Sequence, residues 1–141
     1  MEEMKSGTNR VEYMLAHDNY ASMTGVKVVE LGDKYAKCVM DIAEVHMNAV
    51  RGVQGGAIFT LADFAFAAAA NNGDGPNTIT LNANAAFMGA AKGKQLIAEA
   101  RCTKDGRTTA FYLVEVSDEL GTKVAEVMVT GYKVLPRKKE A

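Results

Sequence analysis

Cysteine and histidine are scarce in this 141-residue chain, which has two of each, and their positions exclude the usual metal-binding frameworks. Cys38 and Cys102 lie in apolar, strand-like segments, without CxxC spacing or neighbouring histidines, so we interpret them as reduced core residues. The sequence also lacks a GxGxxG motif after a strand, a P-loop, an HExxH motif and a GxSxG elbow. These absences argue against nucleotide-binding, zinc and serine-hydrolase functions, and no metal site is expected.

An excess of charge of either sign is missing too, because the formal net charge is -1. The sequence therefore gives no reason to expect nucleic acid or an anionic membrane as a partner. Residues 1–10 are polar and charged, unlike a signal peptide, and the longest apolar segment is short and contains Asp63. We expect a cytoplasmic protein without a membrane span.

The length suits one domain with its own core, which we place at residues 1–141 with flexible ends at 1–8 and 136–141. A short amphipathic helix is predicted at 9–18, a connector at 19–25, and a loop at 43–51 that carries His46 and Asn48. Turn signals separate six predicted strands, at residues 26–31, 35–42, 78–88, 95–104, 108–117 and 122–135. The predicted class is α+β, with a curved antiparallel sheet wrapped around one long helix.

That long helix is predicted at residues 55–71, where an alanine-rich and almost wholly apolar run follows Gly55 and Gly56. Asp63 is its one ionisable residue, and a carboxylate is costly to bury without a purpose or a partner. The glycine amides at the helix start form a donor-rich positive end. Asp63 lies ~10 Å further along the axis, too far to share a substrate atom with them. The pattern suggests a site shared by two copies of the chain, although a locally capped or solvent-facing Asp63 remains an alternative.

The strand at 78–88 alternates between apolar and polar residues, which predicts two distinct faces. We place Ile79, Leu81, Ala83, Ala85 and Phe87 on one face, and Thr78, Thr80, Asn82 and Asn84 on the other.

Residues 48–63, NAVRGVQGGAIFTLAD, resemble the signature of the hotdog-fold acyl-CoA thioesterases. The most similar branch is the PaaI-like type within the hydroxybenzoyl-CoA thioesterase superfamily. The signature comprises an Asn, a glycine-containing loop, His-Gly-Gly, and a helix with Leu-x-Asp two turns later. The resemblance extends over residues 18–135 and includes the strand that ends at Phe87, the Gly106-Arg107 turn and the hairpin at 118–121.

The resemblance implies a hydrolase that converts a small or medium acyl-CoA to the free acid and CoA. It also implies homodimers with sheets joined edge to edge and active sites at their interface, and usually homotetramers. Asp63 would be the catalytic carboxylate, acting as general base or as nucleophile. Gly55 or Gly56 would stabilise the oxyanion, Asn48 would position the thioester or the water, and Thr80 would help to hold that water. Asp63 and Thr80 would come from one chain, and Asn48 with the two glycines from the other.

Gln54 occupies the position of the family's usual histidine. A carboxamide can orient the loop but cannot transfer a proton near neutral pH. If the histidine were the main proton-transfer group, this chain would be impaired; if Asp63 is, Gln54 is tolerable. We favour Asp63, because it is the group that the buried helix presents. His46 lies eight residues earlier and does not replace the missing histidine on sequence grounds. We expect His17 at the surface or at a helix end.

The resemblance also implies positive charge near the phosphates of CoA, which is part of the substrate, and no separate cofactor. Candidates are Lys104, Gly106 and Arg107 in one turn, and Lys92 in the loop after Phe87. Lys94 and Arg51 are further candidates, and each of these charged side chains could equally be a simple surface charge. Phe59, Phe64 and Phe66 could line an acyl pocket or belong to the core.

Three other functions remain open at this point. An acyl-CoA binding or sensing protein without turnover is compatible with Gln54. A hotdog hydratase or dehydratase generally needs a histidine with a carboxylate, and no well-placed histidine is present. A structural homo-oligomer would have its helix-start pocket filled by side chains.

Overall fold

In the part of the chain that the structure describes, six strands form one antiparallel sheet that curves around one long helix. The computed structural model describes residues 8–135, and the sheet order is β1-β2-β4-β5-β6-β3. The elements in chain order are α1 Thr8–His17, α2 Asn19–Thr24, β1 Lys27–Gly32, β2 Tyr35–Asp41, a 3-10 turn Glu44–His46, α3 Gly55–Ala70, β3 Asn77–Phe87, β4 Gln95–Asp105, β5 Thr109–Asp118 and β6 Lys123–Val134. The predicted hotdog architecture is confirmed. Apart from Thr8, which begins α1, the ends predicted to be flexible lie outside the described residues.

The central helix α3 is buried on most sides, as its composition predicts. Its apolar side chains face β2 and β4 and meet the inner faces of β3, β5 and β6. The Phe66 ring packs edge-on against Tyr112, with centroids 5.2 Å apart. Cys38 is a buried free thiol and Cys102 a half-buried one, as predicted. No helix within residues 8–135 combines the length and hydropathy needed to cross a membrane.

The prediction of a plain connector at residues 19–25 was wrong, because this segment forms the six-residue helix α2. The Asp18 carboxylate caps it by accepting a hydrogen bond from the Ala21 amide at 3.0 Å. At its other end Gly25 adopts a left-handed conformation with φ of 89° and donates its amide to the Ser22 carbonyl. An N-cap aspartate and a C-terminal glycine are standard helix signals, but the segment is too short for its periodicity to show.

Buried polar side chains fix the turn between α3 and β3. The Asn71 carboxamide donates to the carbonyls of Ala67 and Thr78 and accepts from the Thr78 amide at 2.8 Å. Arg10, which is 5% exposed, donates to the carbonyls of Gly73 and Gly75. These bonds hold the end of α3 in register with the start of β3.

The predicted alternation of β3 was wrong along its first half, because a β-bulge interrupts the strand. Thr80 lies opposite Gly131 and Asn82 opposite Thr130, so Leu81 is an extra residue without a partner. The bulge shifts the alternation by one residue. On the helix side are Thr78 and Thr80 before the bulge, then Ala83, Ala85 and Phe87 after it. Ile79, predicted to share a face with Ala83, is instead 52% exposed.

Gly131 allows α3 to approach β3 and β6 closely. A Cβ atom there would lie 2.7 Å from Thr78 Cγ2 and 2.9 Å from Phe66 Cζ, closer than real Cβ atoms come. We expect Gly131→Ala to lower the free energy of unfolding by about 1–3 kcal/mol, because the core must shift to admit the methyl group. Urea denaturation measures the loss. Gly75→Ala is the matched control, since nothing lies within 4 Å of its added Cβ. Equal stability of the two variants would contradict the packing argument.

Candidate active site

The first turn of α3 presents two backbone amides without partners. Gln54 precedes the helix, and its carbonyl accepts hydrogen bonds from Ala57 at 2.9 Å and Ile58 at 3.2 Å. The amides of Gly55 and Gly56 donate to no acceptor among the described residues. Unpaired amides at a helix start carry partial positive charge, so the pair can bind an anion or a polarised carbonyl.

The loop before this helix is closed by its own backbone. The Gln54 amide donates to the His46 carbonyl at 2.8 Å, and the Asn48 amide donates to the Gly52 carbonyl at 2.7 Å. The Asn48 side-chain oxygen accepts from the amides of Val50 and Gly52. Since that oxygen is occupied, Asn48 can offer a ligand only its Nδ2 protons.

The surroundings of Gly55 and Gly56 differ in whether they require glycine. A Cβ at Gly55 would lie 3.3 Å from the Phe87 ring, so packing within the chain favours glycine there. At Gly56 the nearest atom to an added Cβ is Gln54 Cγ, at 3.9 Å. Neither packing against the described residues nor a positive φ requires glycine at position 56.

Asp63 lies two turns further along α3 and is half-buried. The Thr80 hydroxyl donates a hydrogen bond to its Oδ1 at 2.8 Å, across the gap between α3 and β3. Burial raises the pKa of the Asp63 carboxyl, the Thr80 hydrogen bond lowers it, and the negative charge of Asp18 raises it. The net result is a pKa above the usual range. A carboxylate held in this way can accept a proton more readily than a solvated one.

Within one chain, Asp63 and the amide donors open into different cavities. Asp63 lines a cavity of about 370 Å³ with Asp18, Tyr20, Ala21, Phe59, Thr60, Phe64 and Ala67. Asn48 and Gly55 line a cavity of about 430 Å³ that Phe87 and Ala91 also border. Gln54 and Gly56 face a third cavity, of about 310 Å³, beneath α2. Asp63 is therefore hydrogen-bonded to Thr80, and Asn48 lines the same cavity as Gly55. Within one chain these two pairs do not share a cavity.

The basic residues expected near CoA fall into two groups. Lys92 follows Ala91 near the start of α3, and its amide donates to the buried Asp118 carboxylate at 2.8 Å. Lys104, Gly106 and Arg107 lie at the opposite end of β4 and β5, where Gly106 accepts a hydrogen bond from the Lys133 ammonium. The 11-residue strand β4 separates the groups by ~30 Å. One chain does not bring them together.

The other candidates have clear structural positions. Gln54 is exposed, and its side chain has no hydrogen-bond partner among residues 8–135. His46 is buried, with Nδ1 accepting from the Ala43 amide and Nε2 donating to the Thr24 carbonyl, so its ring is a structural link to α2. His17 is exposed, as predicted, and Arg51 pairs with Glu44.

Phe66 belongs to the core, whereas Phe59 and Phe64 line the Asp63 cavity. The sequence reasoning missed Asp18 and Tyr20 beside Asp63, because both belong to the start of α2. The capping pattern of Asp18 and Gly25 was the signal that could have found them.

Among the described residues no three His, Cys, Asp or Glu side chains are grouped to hold a metal ion.

Comparisons with known proteins match this chain to one family. The family model of the Thioesterase superfamily matches residues 53–125. A protein of Archaeoglobus fulgidus, whose esterase assignment is provisional, is 35% identical over 124 residues, covering 87% of this chain and 80% of the relative.

Two solved structures share the fold. The E. coli PaaI protein from the phenylacetic acid degradation operon has a TM-score of 0.83 at 23% identity, covering 88% of this chain and 90% of its own. A Streptococcus mutans UA159 protein, crystallised with acetyl-CoA, has a TM-score of 0.74 at 25% identity, covering 81% and 92%.

Proposed function

The chain belongs to the Thioesterase superfamily, and we propose that it hydrolyses acyl-CoA thioesters with Asp63 as the catalytic carboxylate. The S. mutans relative that binds acetyl-CoA supports a CoA thioester as the substrate. CoA is part of that substrate, and the reaction needs no separate cofactor. Its products are the free acid and CoA.

The observation that carries the proposal is the half-buried Asp63 held by Thr80. It lies on a helix that begins with two amides that have no acceptor among residues 8–135. Asp63 removes a proton from the attacking water or attacks the carbonyl itself. The Thr80 hydroxyl donates to Asp63, so its oxygen lone pairs can orient the water. The Gly55 and Gly56 amides stabilise the oxyanion of the tetrahedral intermediate, and Asn48 Nδ2 donates to the thioester. The Gln54 backbone bonds the loop and the helix start, while its exposed carboxamide transfers no proton.

The proposed site needs two copies of the chain. Asp63 and the amides face different cavities in one chain, and β3 is an edge strand whose Leu81 is 63% exposed. An unpaired edge is suited to pairing with a second chain. Antiparallel pairing of two β3 strands would place the α3 helices side by side in opposite directions, so that Asp63 of each approaches the glycines of the other. A homodimer is the smallest such assembly, and two dimers could pair further.

Gly56 supports an intermolecular role for the helix start. Nothing among residues 8–135 demands glycine there, and a bare backbone at this position suits the close approach of a ligand or a second chain. In the same scheme Lys92 lies nearest the amide donors of its own chain. Lys104, Gly106 and Arg107 would contribute to the same CoA only from another copy.

The test is hydrolysis of a panel of acyl-CoAs, followed against pH for the wild type and Thr80→Val. We expect kcat/KM to fall as pH decreases through the raised pKa of Asp63, because the base must be ionised. Thr80→Val removes the hydrogen bond that lowers this pKa, so its decline should begin at higher pH. Its plateau should also be roughly ten-fold lower, since a hydrogen bond to a charged group is lost.

Thr130→Val is the control, because Thr130 lies on the neighbouring strand on the outer face, and it should leave the profile unchanged. A Thr80→Val profile identical to that of the wild type would remove Thr80 from the mechanism. Binding of acyl-CoA without turnover would instead favour a binding or sensing protein, the alternative that Gln54 supports. Absence of both binding and turnover would refute the proposed function.

A further inference from the structure

The cavity beside Asp63 is mostly apolar, and its charged groups share one sign of charge. Its neutral polar side chains are Thr60 and the exposed Tyr20. The side chains of Ala21, Phe59, Phe64 and Ala67 form its apolar wall. The Thr60 hydroxyl is turned away into the helix, where it donates to the Gly56 carbonyl at 2.8 Å. The charged groups that remain are the carboxylates of Asp63 and Asp18.

Asp18 is held in place by its role at the start of α2. Its Oδ1 accepts from the Ala21 amide at 3.0 Å, while Oδ2 has no hydrogen-bond partner among the described residues. No cationic side chain within residues 8–135 lines this cavity to balance the two charges. The field of Asp18 reaches the Asp63 carboxyl, since it contributes to the raised pKa of that group.

The cavity borders the group that attacks the thioester, so an acyl chain attached to the reacting carbon must pass beside it. Apolar walls suit hydrocarbon and aryl groups. A second carboxylate entering this space would meet the exposed Asp18 and the half-buried Asp63 without a counter-charge, and these like charges repel it.

Resting on the proposed function, we propose that this cavity is the acyl subsite and that Asp18 makes it selective for uncharged acyl groups. Aliphatic and aryl acyl-CoAs are accepted, and acyl-CoAs that end in a second carboxylate are rejected. Asp18 is a specificity residue, and the reaction itself does not need it.

The test compares succinyl-CoA with 4-methylpentanoyl-CoA, in which an isopropyl group replaces the terminal carboxylate at similar shape. We expect the wild type to favour the neutral substrate in kcat/KM by on the order of ten-fold or more, from charge repulsion across the cavity. Asp18→Asn keeps the helix cap, because asparagine caps as well as aspartate. It should raise kcat/KM for succinyl-CoA relative to that for 4-methylpentanoyl-CoA, so the ratio that favours the neutral substrate falls. Any change in the pKa of Asp63 affects both substrates alike and cancels in their ratio.

Asp74→Asn, an exposed change elsewhere, is the matched control and should leave the ratio at its wild-type value. Equal rates of the wild type with both substrates, or an unchanged ratio in Asp18→Asn, would overturn the selectivity while leaving hydrolysis established. If no thioester is hydrolysed, the proposed function fails. The dissociation constants of non-hydrolysable analogues, with CH₂ in place of the thioester sulfur, then decide the selectivity alone. Binding of neither analogue would refute both proposals.

Discussion

Asp63→Asn is expected to lower kcat/KM for acyl-CoA hydrolysis by on the order of 10²–10⁴-fold, the usual contribution of a positioned general base. The amide is similar in shape, and its oxygen can still accept the Thr80 hydrogen bond. Substrate binding should therefore change little, and most of the loss should appear in kcat. Steady-state kinetics with a hydrolysed member of the panel measures this. Wild-type activity in the variant would exclude Asp63 from the reaction.

The free energy of unfolding of Asp63→Asn shows whether its loss of activity comes from misfolding. The raised pKa of Asp63 means that the folded chain holds this proton more tightly than the unfolded chain does. Its contribution to stability is therefore complete below the unfolded pKa, about 3.9, and is lost as pH rises through the folded pKa. At neutral pH Asp63→Asn should be at least as stable as the wild type, and the difference should shrink towards pH ~4. Asp74→Asn should change neither activity nor this pH dependence.

Gly56→Pro is expected to lower kcat by on the order of 10²–10³-fold, because it removes one of the two donors proposed for the oxyanion. Proline lacks only an amide that the first helical turn leaves unpaired, and a Cβ added at Gly56 meets no atom closer than 3.9 Å. Circular dichroism of each variant checks that the fold persists. Gly56→Ala keeps the N–H and should lose far less. Equal losses in the two variants would indicate crowding rather than a missing donor.

Coexpression of Asp63→Asn with Gly56→Pro then tests whether the site is shared. In a mixed dimer one site carries both defects and the other carries neither. Random pairing gives half mixed dimers, so about one quarter of the wild-type activity should return. Sites contained within single chains would recover none. Light scattering on the same samples reports whether dimers form.

The sequence was sufficient to predict the α3 helix and the order of the strands along the chain, because those segments are long and strongly patterned. The alanine-rich run at 57–70 has no competing structure, and Asn71 ends it as predicted. Asp63 stood out as a candidate because nothing else in that helix ionises. The family signature supplied the expected roles of Asn48, Gly55 and Gly56.

The sequence did not reveal the bulge at Leu81, because two-residue alternation appears unbroken along β3. It also missed α2, whose six residues are stabilised by the Asp18 cap and the left-handed Gly25 rather than by periodicity. Both depend on local backbone conformation that the pattern of apolar residues does not encode. The distance between Lys92 and the 104–107 turn could not be read from the chain either, because it depends on how β4 spans the sheet.

The unpaired Leu81 has a consequence for reading this strand in other sequences. Residues 78–80 pack near the end of α3, where Asn71 accepts a hydrogen bond from the Thr78 amide. Residues 83–87 lead to the beginning of α3, where the Phe87 ring covers Gly55. Even-numbered residues therefore face the helix before Leu81, and odd-numbered residues face it after Leu81. An alignment that assumes unbroken alternation along β3 will place the Thr80 hydroxyl on the outer face, although it contacts Asp63 on the helix side.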